Sequence, residues 1–109
     1  MIIRTWRGWT DTADTAAAYE ELLNGTIAPD IMRRRIAGLR ELAVFRRAGE
    51  GGGAEHLTLM TFDDWDAVTE FAGPDPSASV VPAPARALLA RHDEHSRHYE
   101  LLQSHLPLP

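Results

Sequence analysis

The chain has 109 residues, with no cysteine and no lysine among them, so all 11 of its basic side chains are arginines. Without a thiol there can be no disulfide, thiolate metal site or cysteine nucleophile, and without lysine no Schiff-base chemistry. A formal charge of −5 leaves no basic face to neutralise phosphates. No nucleic-acid partner is therefore expected. The run Arg33, Arg34, Arg35 reads as a solvated helix face. No apolar stretch approaches the roughly 18 residues of a membrane span, and no basic-then-apolar leader precedes the first patterned segment. A cytoplasmic protein with no membrane partner is the expectation. At this length a single domain over residues 1–109 is expected, with one core and little area for a second.

What is present is a clear order of patterned segments. Ile2 to Thr10 is β-prone, with Ile3, Thr5, Arg7 and Trp9 on one side and Ile2, Arg4, Trp6 and Gly8 on the other. Asp11 or Thr12 caps a helix whose stripe is Ala16, Tyr19, Leu22 and Leu23, and Asn24-Gly25 is expected to interrupt it. Pro29, Ile31, Met32 and Ile36 give a second helical piece ending at Gly38. Two apolar strands, Leu39 to Arg47 and Glu55 to Phe62, flank a Gly-rich hairpin loop. That loop leads to a strand, so it is not a phosphate cradle, which should open a helix. Asp63 or Asp64 caps a helix with Trp65, Val68, Phe71 and Ala72 inward, stopped by Gly73-Pro74. A Pro-rich crossover from Pro74 to Pro84, containing Val80-Val81, is expected to form a lip over a pocket. A short helix from about Pro84 to Ala90 and a strand from about Glu94 to Leu102 complete the chain. The order βαββαβ is the split βαβ, ferredoxin-like motif, an α+β fold with a four-stranded antiparallel sheet and helices on one face.

Both sheet faces carry large side chains. On the second strand Leu42 and Val44 oppose Leu39, Ala43 and Phe45; on the third, Leu57 and Leu59 oppose Met60 and Phe62. Two helices cover one face only, and an exposed second face of this kind exceeds the apolar patch a soluble monomer tolerates. A homodimer packed sheet against sheet is expected, with Trp6 at the interface and Trp9 nearer the helices.

Few residues are equipped for chemistry. His92, His95 and His98 would share a helix face, but on a strand His95 points away from the other two, so no metal site is expected. His98 and Tyr99 form a better pair, because imidazole accepts a proton near neutral pH and a phenol donates to an oxyanion. The bland alternative is that one packs and the other meets the partner. Arg7 is a cation amid apolar strand residues. Either it pairs with a carboxylate, for which Glu100 is suited, or it faces a cavity and binds a substrate anion. Trp6, Trp9 and Trp65 can stack on a planar ligand, although such residues more often fill a core or an interface.

These segments together resemble the antibiotic biosynthesis monooxygenase-like, dimeric α/β-barrel superfamily. The likeness rests on Ile3 to Thr10, on Ile36-Ala37-Gly38-Leu39, on Leu57 to Trp65 running into Ala67 to Gly73, and on His98-Tyr99-Glu100. The superfamily includes cofactor-free oxygenases of aromatic polyketides, haem-degrading enzymes and many small proteins of unassigned role, so it implies fold more than reaction. The quinone-forming oxygenases carry an asparagine where Thr58 stands here, and the haem-degrading members carry one at the position of Arg7. The only asparagine in this chain is Asn24, and Trp65 to Ala72 lacks the histidine that holds haem iron. The resemblance implies a cofactor-free monooxygenase acting on a small planar organic substrate, with no haem, flavin or metal. In that reading His98 is the base, Arg7 and Tyr99 stabilise the anion, Trp9, Met60, Phe62 and Trp65 form the walls, and Thr58 orients the ligand. The alternative is a non-catalytic dimeric ligand-binding or stress-response module of the same fold.

Overall fold

The computed structural model describes residues 1–79 and 81–109, so Val80 of the expected apolar pair in the crossover lies outside the described residues. Its elements are β1 (Ile2–Thr10), α1 (Ala13–Leu22), a π-helical turn (Leu23–Ile27), α2 (Ala28–Arg33), β2 (Leu39–Ala48), β3 (Ala54–Phe62), α3 (Trp65–Ala72), α4 (Ala83–Leu88), β4 (Arg91–His92) and β5 (Arg97–Glu100). The sheet runs β2-β3-β1-β4, and β5 also pairs with β1. The two short strands thus share the fourth position, and all the pairings are antiparallel. This is the ferredoxin-like α+β arrangement, with the expected last strand, about Glu94 to Leu102, shortened to Arg97–Glu100 and preceded by the separate two-residue strand β4. Among the described residues no helix is long and apolar enough to cross a membrane.

Local chemistry sets the element ends. Thr12 caps α1 reciprocally with Thr15: its hydroxyl accepts from the Thr15 N–H at 3.1 Å, while its own N–H donates to the Thr15 hydroxyl at 3.2 Å. Asp64 caps α3 by accepting from the Ala67 N–H at 2.9 Å. Asp63 instead pairs with Arg40 across the turn. Asn24-Gly25 does not break the helix. The chain widens there into one π-helical turn and continues into α2, whose second residue is Pro29. Proline has no N–H to give to the preceding turn, so a local change of hydrogen-bond spacing absorbs the missing donor. α2 then stops at Arg33, short of the expected Gly38, and Arg35 takes a positive φ of 50°. Gly38, at φ 85°, lies so close to α3 that a Cβ would stand 2.9 Å from that of Ala67.

Register assigns the faces. β1 pairs with β3 as Ile2 with Phe62, Arg4 with Met60, Trp6 with Thr58 and Gly8 with His56. Phe62 and Val68 are fully buried, and with Ile2, Met60 and Ala67 they make one core cluster under α3. Leu39 and Leu42 both pack against it. Strict alternation would have separated these two leucines, but an irregularity between Leu39 and Glu41 inserts an extra residue and brings them to one face. A second cluster of Tyr19, Leu23 and Ala85 joins α1, the π-turn and α4.

The expected sides of two tryptophans are reversed. Trp6 faces the helices and Trp9 the open face. Gly8 explains why: on the helix side it lies against Leu89 just beyond α4, where a Cβ would stand 2.9 Å from Leu89 Cδ2. Its parity partners Arg4 and Trp6 therefore point inward too.

Candidate functional site

Between the two core clusters lies a cavity of about 90 Å³, several times the roughly 10–15 Å³ that one water needs. Its apolar walls come from both clusters: Leu23 and Ile27 of the π-turn, Ile31 of α2, Leu42, Met60 and Phe71, closed by Val81, Pro82 and Ala85. The crossover thus supplies a lip, as expected, through Val81 and Pro82. The wider π-turn helps to place Leu23, Ile27, Ala28 and Ile31 along a single wall.

Five side chains with polar atoms line this apolar space: Arg4, Trp6, Tyr19, Thr58 and Ser96. The Trp6 indole N–H is committed, reaching the Ser79 hydroxyl and the Asp93 carbonyl at 2.9 Å each. The Tyr19, Thr58 and Ser96 hydroxyls make no hydrogen bond among the described residues. Nor are they sealed off, since the one fully enclosed, unpartnered side-chain polar atom among those residues is His56 Nδ1. These hydroxyls are therefore free to meet a ligand. Burial pushes the Tyr19 phenol up to about 12, so it remains a donor at neutral pH.

Arg4 is 5% exposed. Its Nη1 donates to the Pro76 carbonyl at 2.5 Å and stands 3.2 Å from His98 Nε2, while Nη2 donates to the Ala78 carbonyl at 3.2 Å. The guanidinium also lies over the Phe71 ring, 5.2 Å from its centroid. It makes no ion pair among the described residues, whereas Arg7, Arg33, Arg40 and Arg46 all do. Burial holds its pKa below the ordinary arginine value.

The expected site residues separate into three groups. Thr58 and Met60 line the cavity. Phe62 sits in the fully buried core, while Trp65 and His98, whose rings are 5.4 Å apart, are not among the cavity's lining residues. His98 turns Nε2 to Arg4, which can only donate, so the imidazole is neutral with its proton on Nδ1. Burial first, and then the Arg4 charge, lower its pKa.

Arg7, Trp9 and Tyr99 do not join the cavity; strand parity sends them to the other face. Arg7 pairs with Asp93, not Glu100, through Nε to Oδ2 at 3.0 Å and Nη2 to Oδ1 at 3.1 Å. Trp9 lies between Arg7 and Arg91, whose guanidinium carbons are 5.0 and 4.0 Å from its ring. Tyr99 is exposed opposite Ile3. Of the histidine run, His92 pairs beside Gly8 and His95 bridges Ala78. Among the described residues no three His, Asp or Glu side chains gather as a metal site would require.

Sequence reading missed Arg4, Tyr19 and Ser96 as site residues. For Arg4 the missing signal was Gly8, because a glycine inside a strand marks a close approach and thereby the helix-covered face.

No family model matches the sequence, and no curated protein does. Solved structures do match. A monooxygenase from the ActVA-Orf6 gene of Streptomyces coelicolor, in complex with nanaomycin D, superposes with a TM-score of 0.64 at 18% identity, covering 98% of this chain and 92% of that one. A candidate antibiotic biosynthesis monooxygenase of Deinococcus radiodurans gives 0.61 at 16% identity over the whole of both chains. A dimeric ferredoxin-like protein from an uncultured marine organism gives 0.63 at 9%, covering 98% and 100%. The chain has the fold of the antibiotic biosynthesis monooxygenase-like, ferredoxin-like proteins.

Proposed function

We propose that this protein is a small-molecule oxygenase that takes a planar, electron-rich organic substrate of the aromatic polyketide type and works without a bound cofactor. The observation that carries this reading is the helix-side cavity: apolar walls around one buried cation and three uncommitted hydroxyls. Such a site can hold flat apolar surface and stabilise negative charge on an oxygen at one edge, which is what reaction of an electron-rich anion with dioxygen asks of a protein. The likeness in fold to a monooxygenase solved with nanaomycin D supports the substrate class. His98, held neutral beside Arg4, is the proposed proton acceptor once a ligand displaces it from the guanidinium. Thr58 is the proposed orienting hydroxyl.

The proposed assembly is a homodimer packed through the open sheet face. Ile3, Leu57, Leu59, Ala43 and Phe45 share that face by register. Phe45 and Tyr99 are half exposed, and Leu102, Leu106 and Leu108 in the tail are almost wholly exposed. Covering this apolar surface favours association. Arg7, Trp9 and Tyr99 would then meet the partner.

The second reading, a non-catalytic ligand-binding module, is favoured by one observation: every uncommitted polar group on the cavity wall can donate, and His98 is engaged. Incubation with an anthrone-like substrate, followed by oxygen uptake and product analysis, tests the proposal. Substrate-dependent oxygen consumption is expected; saturable binding without consumption establishes the binding module instead.

A further inference from the structure

Arg4 is the charged residue most deeply buried on the helix side, and nothing among the described residues neutralises it. Stripping water from a cation is costly, and proteins ordinarily offset that cost with a carboxylate. Here the offsets are two carbonyls, a neutral imidazole and the face of Phe71. A guanidinium has five N–H donors. Three are used, and the remaining two have no acceptor among the described residues. Two donors are what a carboxylate takes from an arginine in the bidentate arrangement. The same side chain lines the cavity with the Tyr19 hydroxyl, whose phenol stays protonated.

Building on the cavity reading above, we infer that the natural ligand enters already ionised, as a flat aromatic acid whose carboxylate replaces the missing counter-ion of Arg4 and accepts from Tyr19. The flat ring system lies against Met60, Phe71 and Trp6. Two spare guanidinium donors beside hydroxyls able to donate suit a ligand that brings its own negative charge. Arg4 discriminates against a neutral amide, which brings no charge and turns N–H donors toward a guanidinium that can only donate.

The test uses the wild-type protein and a matched pair of probes, 2-naphthoate and 2-naphthamide, titrated calorimetrically at pH 7.5. Naphthoate should bind at least tenfold more tightly, and the ratio should fall to near one in Arg4→Gln. Tyr19→Phe should lower naphthoate affinity and leave naphthamide nearly unchanged. Equal affinity of the wild-type protein for both probes overturns the inference while leaving the cavity reading standing. Failure of both to bind overturns the two together. Because the probe pair is read on the wild-type protein, the inference remains exposed to refutation even if Arg4→Gln does not fold.

Discussion

Arg4 and Arg7 leave the same strand three residues apart and end in opposite circumstances. Arg7, on the open face, is a third exposed and holds Asp93 in a two-point ion pair. Its charge is answered within the chain, and the hydrogen bond it donates to Asp93 is the main reason its pKa rises. Arg4, on the helix face, is buried, forms no ion pair among the described residues, and its pKa is lowered by burial. One strand therefore carries a satisfied cation toward the proposed partner surface and an unanswered one toward the cavity. A cation whose counter-charge is present has a structural job; one held in low dielectric without it is placed to receive an anion.

The largest expected effect falls on the open face. Replacing Leu57 and Leu59 together with glutamate puts two charges at the centre of the proposed interface, each costing several kcal/mol if buried unpaired. At about 1.4 kcal/mol per factor of ten, association should weaken by at least about a hundredfold. Sedimentation velocity should show the wild type as a dimer and the double variant as a folded monomer. A wild-type monomer at micromolar concentration would remove the interface and with it half of the contrast between the faces.

On the helix face, Tyr19 separates packing from chemistry. Tyr19→Ala empties a fully buried aromatic site and should cost about 3–5 kcal/mol of stability, the range for large aromatic truncations in cores. Tyr19→Phe removes only a hydroxyl that has no partner among the described residues. It should leave the denaturant midpoint nearly unchanged and weaken an anionic ligand by about tenfold to a hundredfold, the worth of one hydrogen bond to a charged group. Loss of stability in Tyr19→Phe would show that the hydroxyl serves the core.

Element types and order were legible because hydrophobic periodicity survives in a single chain. The helix starts, narrowed to Asp11 or Thr12 and to Asp63 or Asp64, the hairpin and the apolar duality of β3 all follow from local rules. The site was legible only in part. Thr58 came from the family resemblance and Met60 as a candidate wall, and both lie on the cavity side of β3; β1 is mixed on both faces, and Gly8 is its one internal hint that Arg4 and not Arg7 faces the helices. Asp93 and the carbonyls of Pro76 and Ala78 decide the matter from far along the sequence, 72 residues away in the case of Pro76. The bulge at Arg40 and the π-turn at Leu23–Ile27 each shift a phase by one residue, which periodicity read from one segment alone does not reveal.

Acid should act on the helix face before it acts on the open one. Burial is the first cause lowering the pKa of both His56 and His98; Arg46 adds to it at His56 against an opposing Glu20, and Arg4 adds to it at His98. Both are neutral when folded and titrate at an ordinary 6.5 when unfolded. The unfolded chain therefore binds more protons as pH falls below that value. Their stabilising share is complete above pH 6.5 and is lost as pH falls through the folded values. Urea midpoints at about pH 7.5, 6.5 and 5.5 should fall slightly from the first to the second and further at the third. His56→Gln should flatten part of that decline. A midpoint that rises on acidification would contradict the assignment of neutral, buried imidazoles.

The smallest effect is expected at Arg7. Its pair with Asp93 is bidentate, but the guanidinium is a third exposed, and partly solvated ion pairs contribute about 0–1 kcal/mol. Arg7→Ala should therefore shift the unfolding midpoint slightly and leave naphthoate affinity within about twofold, because Arg7 is not among the residues that line the cavity. Arg4→Gln should do the reverse to the ligand, abolishing the preference for charge. Measured side by side, the two variants ask whether the cation that recognises an anion is the one whose own acid is missing. If Arg7→Ala reduces anion binding as much as Arg4→Gln, the open face contributes to the site, and the division of labour between the two faces of β1 is wrong.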